Sequence, residues 1–386
     1  MRKVAFLTGT RADFGKIKSL IATLNEAPKH FETHIFATGM HMEPKYGYTL
    51  QEIEKCGFER IYPFINQSAL GVMDRALANT LMGFADYTRL IRPDLIVVHG
   101  DRVEALAGAL VGALNNILVA HIEGGEISGT VDELIRHSVS KMSHLHFVSN
   151  ARAKERLVQL GEEPAHIHVI GSPEVDTMNS PSLPSLEEVR AHYAIPFARY
   201  GIVAFHPVTT NPQRIRSETR ALLRAMLDSG HAFVVVYPNS DTGSEHILEE
   251  YELTLRDHPK VRLFPSLRFE SMLVLLQHAD FVLGNSSMGI REAPFYGVPT
   301  VNVGDRQQGR SDNPHLLHVP AEYEAISAAL AKALALKGRL PRLREFGEGD
   351  SHRRFRAALE DEALWSTPVQ KRFCELSPRL YDRSAA

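Results

Sequence analysis

The sequence predicts an α/β protein with two Rossmann-like domains that face each other across a cleft. Short apolar runs alternate with helix-length amphipathic segments, which is typical of a parallel sheet covered on both faces. The alternation stops in a proline- and serine-rich stretch, residues 172–186, and then resumes. A chain of 386 residues is long enough for two domains of ordinary size.

The expected domain limits follow from that interruption. We predict an N-terminal Rossmann-like domain over residues 1–171 and a C-terminal Rossmann-like domain over residues 186–360. Residues 361–386 form a C-terminal extension of uncertain structure. Its polar, weakly periodic sequence is compatible with a packed terminal helix and with a frayed tail.

The predicted strands are the short apolar runs, and the predicted helices lie between them. In the first domain the strands are Lys3–Thr8, Thr33–Ala37, Leu95–His99, Ile117–Ile122, Leu145–Val148 and His168–Ile170, and the helices include Phe14–Asn25, Arg75–Ile91 and Val103–Asn115. In the second domain the strands are Ile202–Phe205, Phe233–Tyr237, Val261–Phe264, Phe281–Leu283 and Thr300–Val303. Such domains bind ligands at the carboxyl ends of their strands.

Composition excludes several classes of function. A net charge of −3 creates no global field that would select a nucleic acid or a membrane as partner. We find no signal peptide and no run that approaches the ~20 apolar residues of a membrane span. Cys56 and Cys374 are isolated, so neither a disulfide nor a cysteine metal site is expected, and the chain is expected in a reducing cytoplasm.

The motif with the most chemistry runs from His121 to His137. Glu123 follows a buried strand directly, two glycines and Glu126 come next, and Asp132 lies in the first turn of the following helix. A surface ion pair between Asp132 and Arg136 is the structural alternative, but it leaves Glu123 unexplained. Carboxylates from different elements that converge on one cleft suit acid/base chemistry. A metal site is less favoured, because no histidine pair is spaced to complete it.

Two other turns of the first domain carry charged residues. The turn after the first strand, residues 9–15, opens a helix and contains Arg11, so it could hold an anion. Its alternative is a structural turn with Asp13 as helix N-cap, and it lacks the spacing of a dinucleotide fingerprint. The turn that contains Asp101 and Arg102 ends a second strand, where Asp101 either caps the next helix or belongs to a site.

The second domain repeats this arrangement. His206 ends its first strand, in a place that mirrors Arg11. Ser286 and Ser287 lie in a turn of small residues whose N–H and hydroxyl groups could reach a phosphate. Glu292, in the helix that follows, could accept the two hydroxyls of a ribose, and Arg306 follows the next strand.

Together these motifs resemble one known family. The stretches 10–16, 99–102, 121–132, 206–210, 284–292 and 304–310 occur in the order found in the UDP-N-acetylglucosamine 2-epimerases. The Glu-Gly-Gly-Glu form of residues 123–126, with its short gap to Asp132, is similar to the hydrolysing branch, which releases UDP and N-acetylmannosamine for sialic acid synthesis.

The resemblance implies a glycosyltransferase-B-like fold, a UDP-sugar as partner, and neither a metal nor a nicotinamide cofactor. It implies that UDP is held by Arg11, Arg102, His206, Ser286, Ser287, Glu292 and Arg306. It also implies that Asp101, Glu123 and Asp132 are the catalytic carboxylates, with Glu126, Arg136 and His137 as supporting residues. A homodimer or homotetramer is expected, with Arg75–Ile91 as a candidate interface.

Three alternatives stay open at this point. The sugar could be a UDP-diacetamido-trideoxyhexose, as in legionaminic acid pathways, because its C-4 and C-6 groups would meet loops such as Gly39–Gly47 and Ser68–Asp74. A glycosyltransferase of the same fold would use Ser286 and Glu292 but would not need the carboxylate cluster. A non-enzymatic nucleotide-sugar sensor would not need that cluster either.

Overall fold

Two parallel β-sheets organise the chain. The computed structural model describes residues 1–66, 72–128 and 131–375. Within them the first sheet has seven strands, β1 (Arg2–Thr8), β2 (Phe31–Ala37), β3 (Ile61–Pro63), β4 (Leu95–His99), β5 (Leu118–Ile122), β6 (Leu145–Val148) and β7 (Ile167–Val169). The second has six, β8 (Gly201–Ala204), β9 (Phe233–Val236), β10 (Val261–Phe264), β11 (Val282–Gly284), β12 (Thr300–Val303) and β13 (Leu316–Val319).

Helices connect the strands and cover both faces of each sheet. Those of the first half are α1 (Arg11–Asn25), α2 (Leu50–Glu54), α3 (Met73–Ile91), α4 (Val103–Leu114), α5 (Val131–Met142), α6 (Ala151–Gln159) and α7 (Pro173–Met178). Those of the second half are α8 (Leu186–His192), α9 (Ile215–Asp228), α10 (Ser244–Leu255), α11 (Phe269–His278), α12 (Glu292–Tyr296), α13 (Tyr323–Leu336) and α14 (Ser351–Glu360). Separate clusters of buried apolar side chains lie on the two faces of each sheet, as the alternating pattern requires.

The strand order places a ligand site in each sheet. The order is β3-β2-β1-β4-β5-β6-β7 in the first sheet and β10-β9-β8-β11-β12-β13 in the second. The direction of winding therefore reverses between β1 and β4 and again between β8 and β11. A crevice opens at such switch points, outside the carboxyl ends of the strands. The predicted motifs follow β1, β4, β5, β8, β11 and β12, so they meet there.

Two details of the first helix and of α4 differ from the alternatives weighed above. Thr10, and not Asp13, is the N-cap of α1; Asp13 occupies the third helical position and completes a capping box with Thr10. Arg102 precedes α4, and no side chain caps that helix. Asp101 therefore has no capping role, which leaves its carboxylate to the site.

The end of the chain returns to the first sheet. Helix α14 packs Phe355 and Leu359 into the core of that sheet, and the Phe355 ring lies 4.8 Å from that of Phe147. Residues 351–360, which the sequence groups with the second domain, thus pack against the first. The domain limits themselves stay a prediction.

A C-terminal strap, residues 367–375, follows α14 and crosses the end of α5. Lys371 donates from its ammonium group to the carbonyl oxygens of Ser140, Lys141 and Ser143, at 2.9, 2.9 and 2.6 Å. A cation at this position satisfies carbonyl groups that have no partner within the helix. The predicted extension is therefore packed as far as residue 375, and residues 376–386 lie outside the described part.

No helix in the described ranges is long and apolar enough to cross a membrane.

Replacing Gly284 with alanine is expected to lower the free energy of unfolding by about 2–3 kcal/mol. Gly284 ends β11 with a φ of 134°, and an added Cβ would lie 2.1 Å from the carbonyl oxygen of Ala204 on β8. The clash separates the two strand ends on which the crevice is built. Urea denaturation followed by circular dichroism measures the loss.

Gly338→Ala is the matched control, because Gly338 also has a positive φ, of 71°, but no neighbouring atom within 4 Å of the added Cβ. It should cost only about 1 kcal/mol, from backbone strain alone. Equal losses in the two variants would show that the contact with Ala204 is unimportant.

Candidate active site

A cavity of about 300 Å³ lies between the carboxyl ends of the two sheets. Its volume falls at the lower end of the range of small-molecule sites, roughly 300–1,000 Å³. The predicted site residues that line it come from both sheets; they are Arg11, Asp101, Arg102, Asp132, His206, Ser286, Ser287, Glu292 and Arg306. Four others lie outside its wall: Glu123, Glu126, Arg136 and His137.

Two carboxylates face this cavity with opposite proton affinities. Burial raises the pKa of Asp101, but the guanidinium groups of Arg136, Arg310 and Arg306 outweigh burial and hold it well below its usual range. Burial also raises the pKa of Asp132, and there the raised value persists although Arg306 donates to its carboxylate at 2.7 Å. Titratable groups whose environments push their pKa values apart are typical of acid/base sites.

Arg136 does not form the surface ion pair that the sequence allowed. Its side chain is 1% exposed and pairs with the carboxylate of Asp101. It also donates to the backbone oxygen of Glu126, at 3.3 Å, and to the Ser128 hydroxyl, at 3.1 Å. Arg136 therefore holds Asp101 from behind the cavity wall.

Glu123 is buried one layer behind the cavity. It has a φ of 65°, in the left-handed region that few residues other than glycine adopt. This conformation turns its carboxylate inward, where Oε2 lies 3.1 Å from His99 Nε2 and Oε1 lies 2.6 Å from Arg291 Nη2. The Ser172 hydroxyl also donates to Oε1. The carboxylate of Glu123 therefore contacts His99, Arg291 and Ser172, and not the other predicted catalytic residues.

Arg291 connects the two domains. Its fully buried guanidinium group donates from Nε to Glu174, at 2.7 Å, and pairs with Glu126 as well as Glu123. The Phe346 ring covers it at 4.4 Å. Glu126 is held by Arg310 too, at 2.9 Å, and these cations lower its pKa to about 2 although burial opposes them. Glu126 therefore has a structural place and does not line the cavity.

The second-domain side of the cavity offers hydrogen-bond donors. The Nδ1 atom of His206 accepts a hydrogen bond from the backbone N–H of Asn239, at 3.1 Å. Burial lowers the pKa of His206 well below its usual value, with Arg306 and Arg102 adding to the effect. The ring is therefore neutral, and its proton lies on Nε2. Such a ring can donate a hydrogen bond to a phosphate oxygen without itself being charged.

The serine turn leads into a 3-10 turn before the short helix that the sequence predicts. Ser286 caps a three-residue 3-10 turn, Ser287–Gly289, and its hydroxyl accepts from the Met288 N–H at 3.4 Å. Helix α12 then begins at Glu292 and has only five residues. A long helix dipole is absent at this point, so an anion here would be held by individual N–H and hydroxyl groups.

Glu292 faces the cavity beside a buried lysine that sequence reasoning missed. Burial raises the pKa of Glu292 to about 7, with Glu174 adding to the effect and Lys16 opposing it. The ammonium group of Lys16 lies 3.7 Å from Glu292 and pairs with Glu174. Both groups line or border the cavity where a ribose or a phosphate would approach.

His137 is placed away from the site. It is on the outer face of α5, pairs with Glu133 at 3.5 Å, and its side chain is 33% exposed. The structure gives no contact through which it would support Asp132.

Residues that sequence reasoning missed were partly visible in the motifs. His99, Lys16 and Arg291 each stand inside a quoted motif, and Arg291 directly precedes the chosen Glu292. Arg310 ends the quoted stretch 304–310, whereas Glu174 lies outside every quoted motif and its partner Arg291 is far away along the chain. In the described ranges, no group of three or more histidine, cysteine, aspartate or glutamate side chains is arranged to hold a metal ion.

Comparisons with known proteins place the chain beside one family of enzymes. Residues 23–360 match the family model described as UDP-N-acetylglucosamine 2-epimerase. A UDP-N-acetylglucosamine 2-epimerase of Neisseria meningitidis serogroup B is 46% identical over 380 residues, which cover 98% of this chain and 100% of the relative. A hydrolysing UDP-N,N'-diacetylbacillosamine 2-epimerase of Legionella pneumophila is 33% identical over 375 residues, which cover 96% of this chain and 99% of the relative.

The solved structures confirm the predicted fold class. The crystal structure of Methanocaldococcus jannaschii UDP-GlcNAc 2-epimerase, in complex with UDP-GlcNAc and UDP, superposes with a TM-score of 0.79 at 23% identity. It covers 93% of this chain and 99% of the other. The two-domain, glycosyltransferase-B-like α/β architecture is thus shared along nearly the whole chain.

Proposed function

The chain belongs to the UDP-N-acetylglucosamine 2-epimerase family, and from that premise we propose that it hydrolyses UDP-N-acetylglucosamine to N-acetylmannosamine and UDP, for sialic acid biosynthesis. The observation that carries the proposal is the cavity in which Asp101 and Asp132 face donors of the second sheet. Its donor side fits a diphosphate, and its carboxylate side fits proton transfer at a sugar carbon.

The chemistry requires that the leaving group departs early. The C-2 proton is barely acidic while C-1 is an acetal carbon, so the C-1 to oxygen bond must break first. Arg11, His206 and the serine turn would stabilise the departing diphosphate. As C-1 gains oxocarbenium character, the C-2 proton becomes acidic, and its removal gives a 2-acetamidoglucal.

Inversion at C-2 then requires a proton from the opposite face, with addition of water at C-1. One group cannot easily serve both faces, so at least two acid/base groups are needed. We propose Asp132 for one face, since it lines the cavity and burial raises its pKa, which is the direction that a general acid requires. We propose that ionised Asp101 orients the water and stabilises positive charge at C-1. Glu123, the third predicted carboxylate, contacts His99, which lines the cavity, and does not line it itself.

The elimination route predicts the isotopic composition of the product. In heavy water, N-acetylmannosamine formed from UDP-N-acetylglucosamine should carry deuterium at C-2, because the proton delivered there comes from a second group that exchanges with solvent. NMR spectroscopy of the product, with parallel measurement of free UDP, tests this. Full retention of the substrate hydrogen at C-2 would contradict the route.

A second substrate is favoured by one relative. The Legionella pneumophila protein is named for UDP-N,N'-diacetylbacillosamine, which differs from UDP-N-acetylglucosamine at C-4 and C-6. Of the loops predicted to meet these groups, Gly39–Gly47 contributes Met40 and Tyr46 to the cavity wall. The Ser68–Asp74 loop falls mainly on residues 67–71, which lie outside the described part. Comparing kcat/KM for the two UDP-sugars decides between them.

The proposal also covers the cellular location and the oligomeric state of the enzyme. We propose a cytoplasmic homodimer or homotetramer that associates through α3, without a cofactor. The outer face of α3 exposes Met82 and Leu90, at 71% and 76%, which is consistent with a surface that packs against another subunit.

A further inference from the structure

His99 and Glu123 form a histidine–carboxylate pair across two neighbouring strands. His99 is the last residue of β4, and its partner in the parallel register of β5 is Ile122. Glu123 follows Ile122 directly, so the two side chains leave the sheet at the same edge. The Nε2 atom of His99 lies 3.1 Å from Oε2 of Glu123.

Only the imidazole of this pair faces the cavity. His99 lines the cavity wall together with Asp101 and Asp132, whereas Glu123 does not. Both carboxylate oxygens of Glu123 already have partners: Oε1 binds Arg291 and Ser172, and Oε2 binds His99. Glu123 would have to give up one of these buried contacts to reach a sugar itself.

The second ring nitrogen of His99 is available for chemistry. A carboxylate that accepts the Nε2 proton fixes the neutral tautomer, in which Nδ1 carries the lone pair. Within the described residues no hydrogen bond involves Nδ1 of His99. This is the arrangement of a general base that is oriented, and stabilised once protonated, by a buried carboxylate.

We propose that His99 is the second acid/base group at C-2 and that Glu123 is the residue that positions it. The inference rests on the proposed function, and it deepens that function by separating the group that faces the sugar from the group that orients it. Asp132, which lines the same cavity, would act on the other face of C-2.

The steps balance as follows. His99 takes the C-2 proton, the C–H electrons form the C-1 to C-2 double bond, and UDP leaves with the electrons of the C-1 to oxygen bond. Protonated Asp132 then delivers its proton to the other face of C-2, while the oxygen of water bonds to C-1. The proton lost by that water restores Asp132, and His99 releases its own proton to solvent.

The variants His99→Gln, Glu123→Gln and the double variant test the inference, with His30→Gln, at an exposed histidine before β2, as the surface control. Each single change at the pair should lower kcat by ~10²–10⁴-fold and leave the Kd for UDP within a few-fold of the wild type. Because both residues act through one proton transfer, the double variant should be no slower than the poorer single variant. A double variant that loses the product of the two effects would overturn the positioning role of Glu123.

Two further measurements separate chemistry from structure. Imidazole added to His99→Ala should restore part of kcat, which loss of a merely structural residue would not allow. With 2-acetamidoglucal and UDP supplied, His99→Gln should still form N-acetylmannosamine, because hydration uses Asp132. If His99→Gln has a kcat near the wild-type value, the inference is wrong but the proposed function stands. If the wild type releases no UDP from either UDP-sugar, both the proposed function and this inference are wrong.

Discussion

Asparagine in place of Asp132 is expected to lower kcat by ~10²–10⁴-fold while the affinity for UDP is unchanged or increased. Asp132 faces the cavity, and its carboxylate lies 2.7 Å from the guanidinium group of Arg306, one of the cations proposed to hold the diphosphate. The amide cannot carry the proton for C-2, but it removes a negative charge from an anion site. Steady-state kinetics and calorimetric titration with UDP measure the two effects separately.

Asp132→Asn is a cleaner test than Asp101→Asn. Asp101 neutralises Arg136, whose side chain is 1% exposed, so its loss leaves a buried cation unpaired and lowers stability as well as activity. Asp228→Asn, on α9 with 54% of its side chain accessible, is the control and should leave both kcat and the affinity for UDP near wild type. Parallel loss of UDP affinity and kcat in Asp132→Asn would argue against its role in proton transfer.

Methionine in place of Arg291 is expected to lower the free energy of unfolding by about 3–5 kcal/mol at neutral pH. The change leaves Glu123, Glu126 and Glu174 buried without the cation that they share. It also removes the hydrogen bonds that join the second domain to the first across the cleft. Denaturant titration measures the loss.

The loss should depend on pH in a defined direction. In the wild type, cations hold the pKa of Glu123 well below its usual range and that of Glu126 at about 2, so this stabilisation is present above the unfolded pKa and is lost only as pH falls through the folded pKa. In Arg291→Met the buried carboxylates gain protons more readily. The difference in the free energy of unfolding between wild type and variant should therefore become smaller as pH falls from about 7 to about 5.

Arg256→Met is the control for charge alone. Arg256 lies in α10's C-cap with 71% of its side chain exposed and pairs with Glu252. Its replacement should change stability by no more than about 1 kcal/mol, independently of pH. A similarly small, pH-independent effect in Arg291→Met would show that the cross-domain contacts contribute little.

The positions of the strands along the sequence were the predictable part of this protein. The strands that the apolar runs indicate lie within a residue or two of those observed, because a strand covered on both faces must be apolar throughout. The missed strands, β3 and β13, are three and four residues long and lie at sheet edges. Such strands are partly exposed and carry no comparable pattern.

The sequence predicted which loops form the site, but not which of their side chains line the cavity and which are buried behind its wall. Residue spacing brings Asp101, Glu123 and Asp132 to one edge of the sheet, yet only the backbone conformation at Glu123 decides that its carboxylate points away from the cavity. The contacts of Arg291 were also hidden, since Glu123 lies 168 residues away along the chain. Contacts at that distance depend on how two domains dock, which local periodicity does not record.

The C-terminal strap and α14 give the protein an unusual order of assembly during synthesis. Domains generally fold from the N-terminus as they emerge from the ribosome. Here the core of the first sheet includes Phe355 and Leu359, and the end of α5 is satisfied by Lys371. Part of the apolar surface of the first sheet therefore stays uncovered until the whole second domain and residues 351–375 have been translated. The nascent chain is most vulnerable to aggregation and to chaperone capture in that interval.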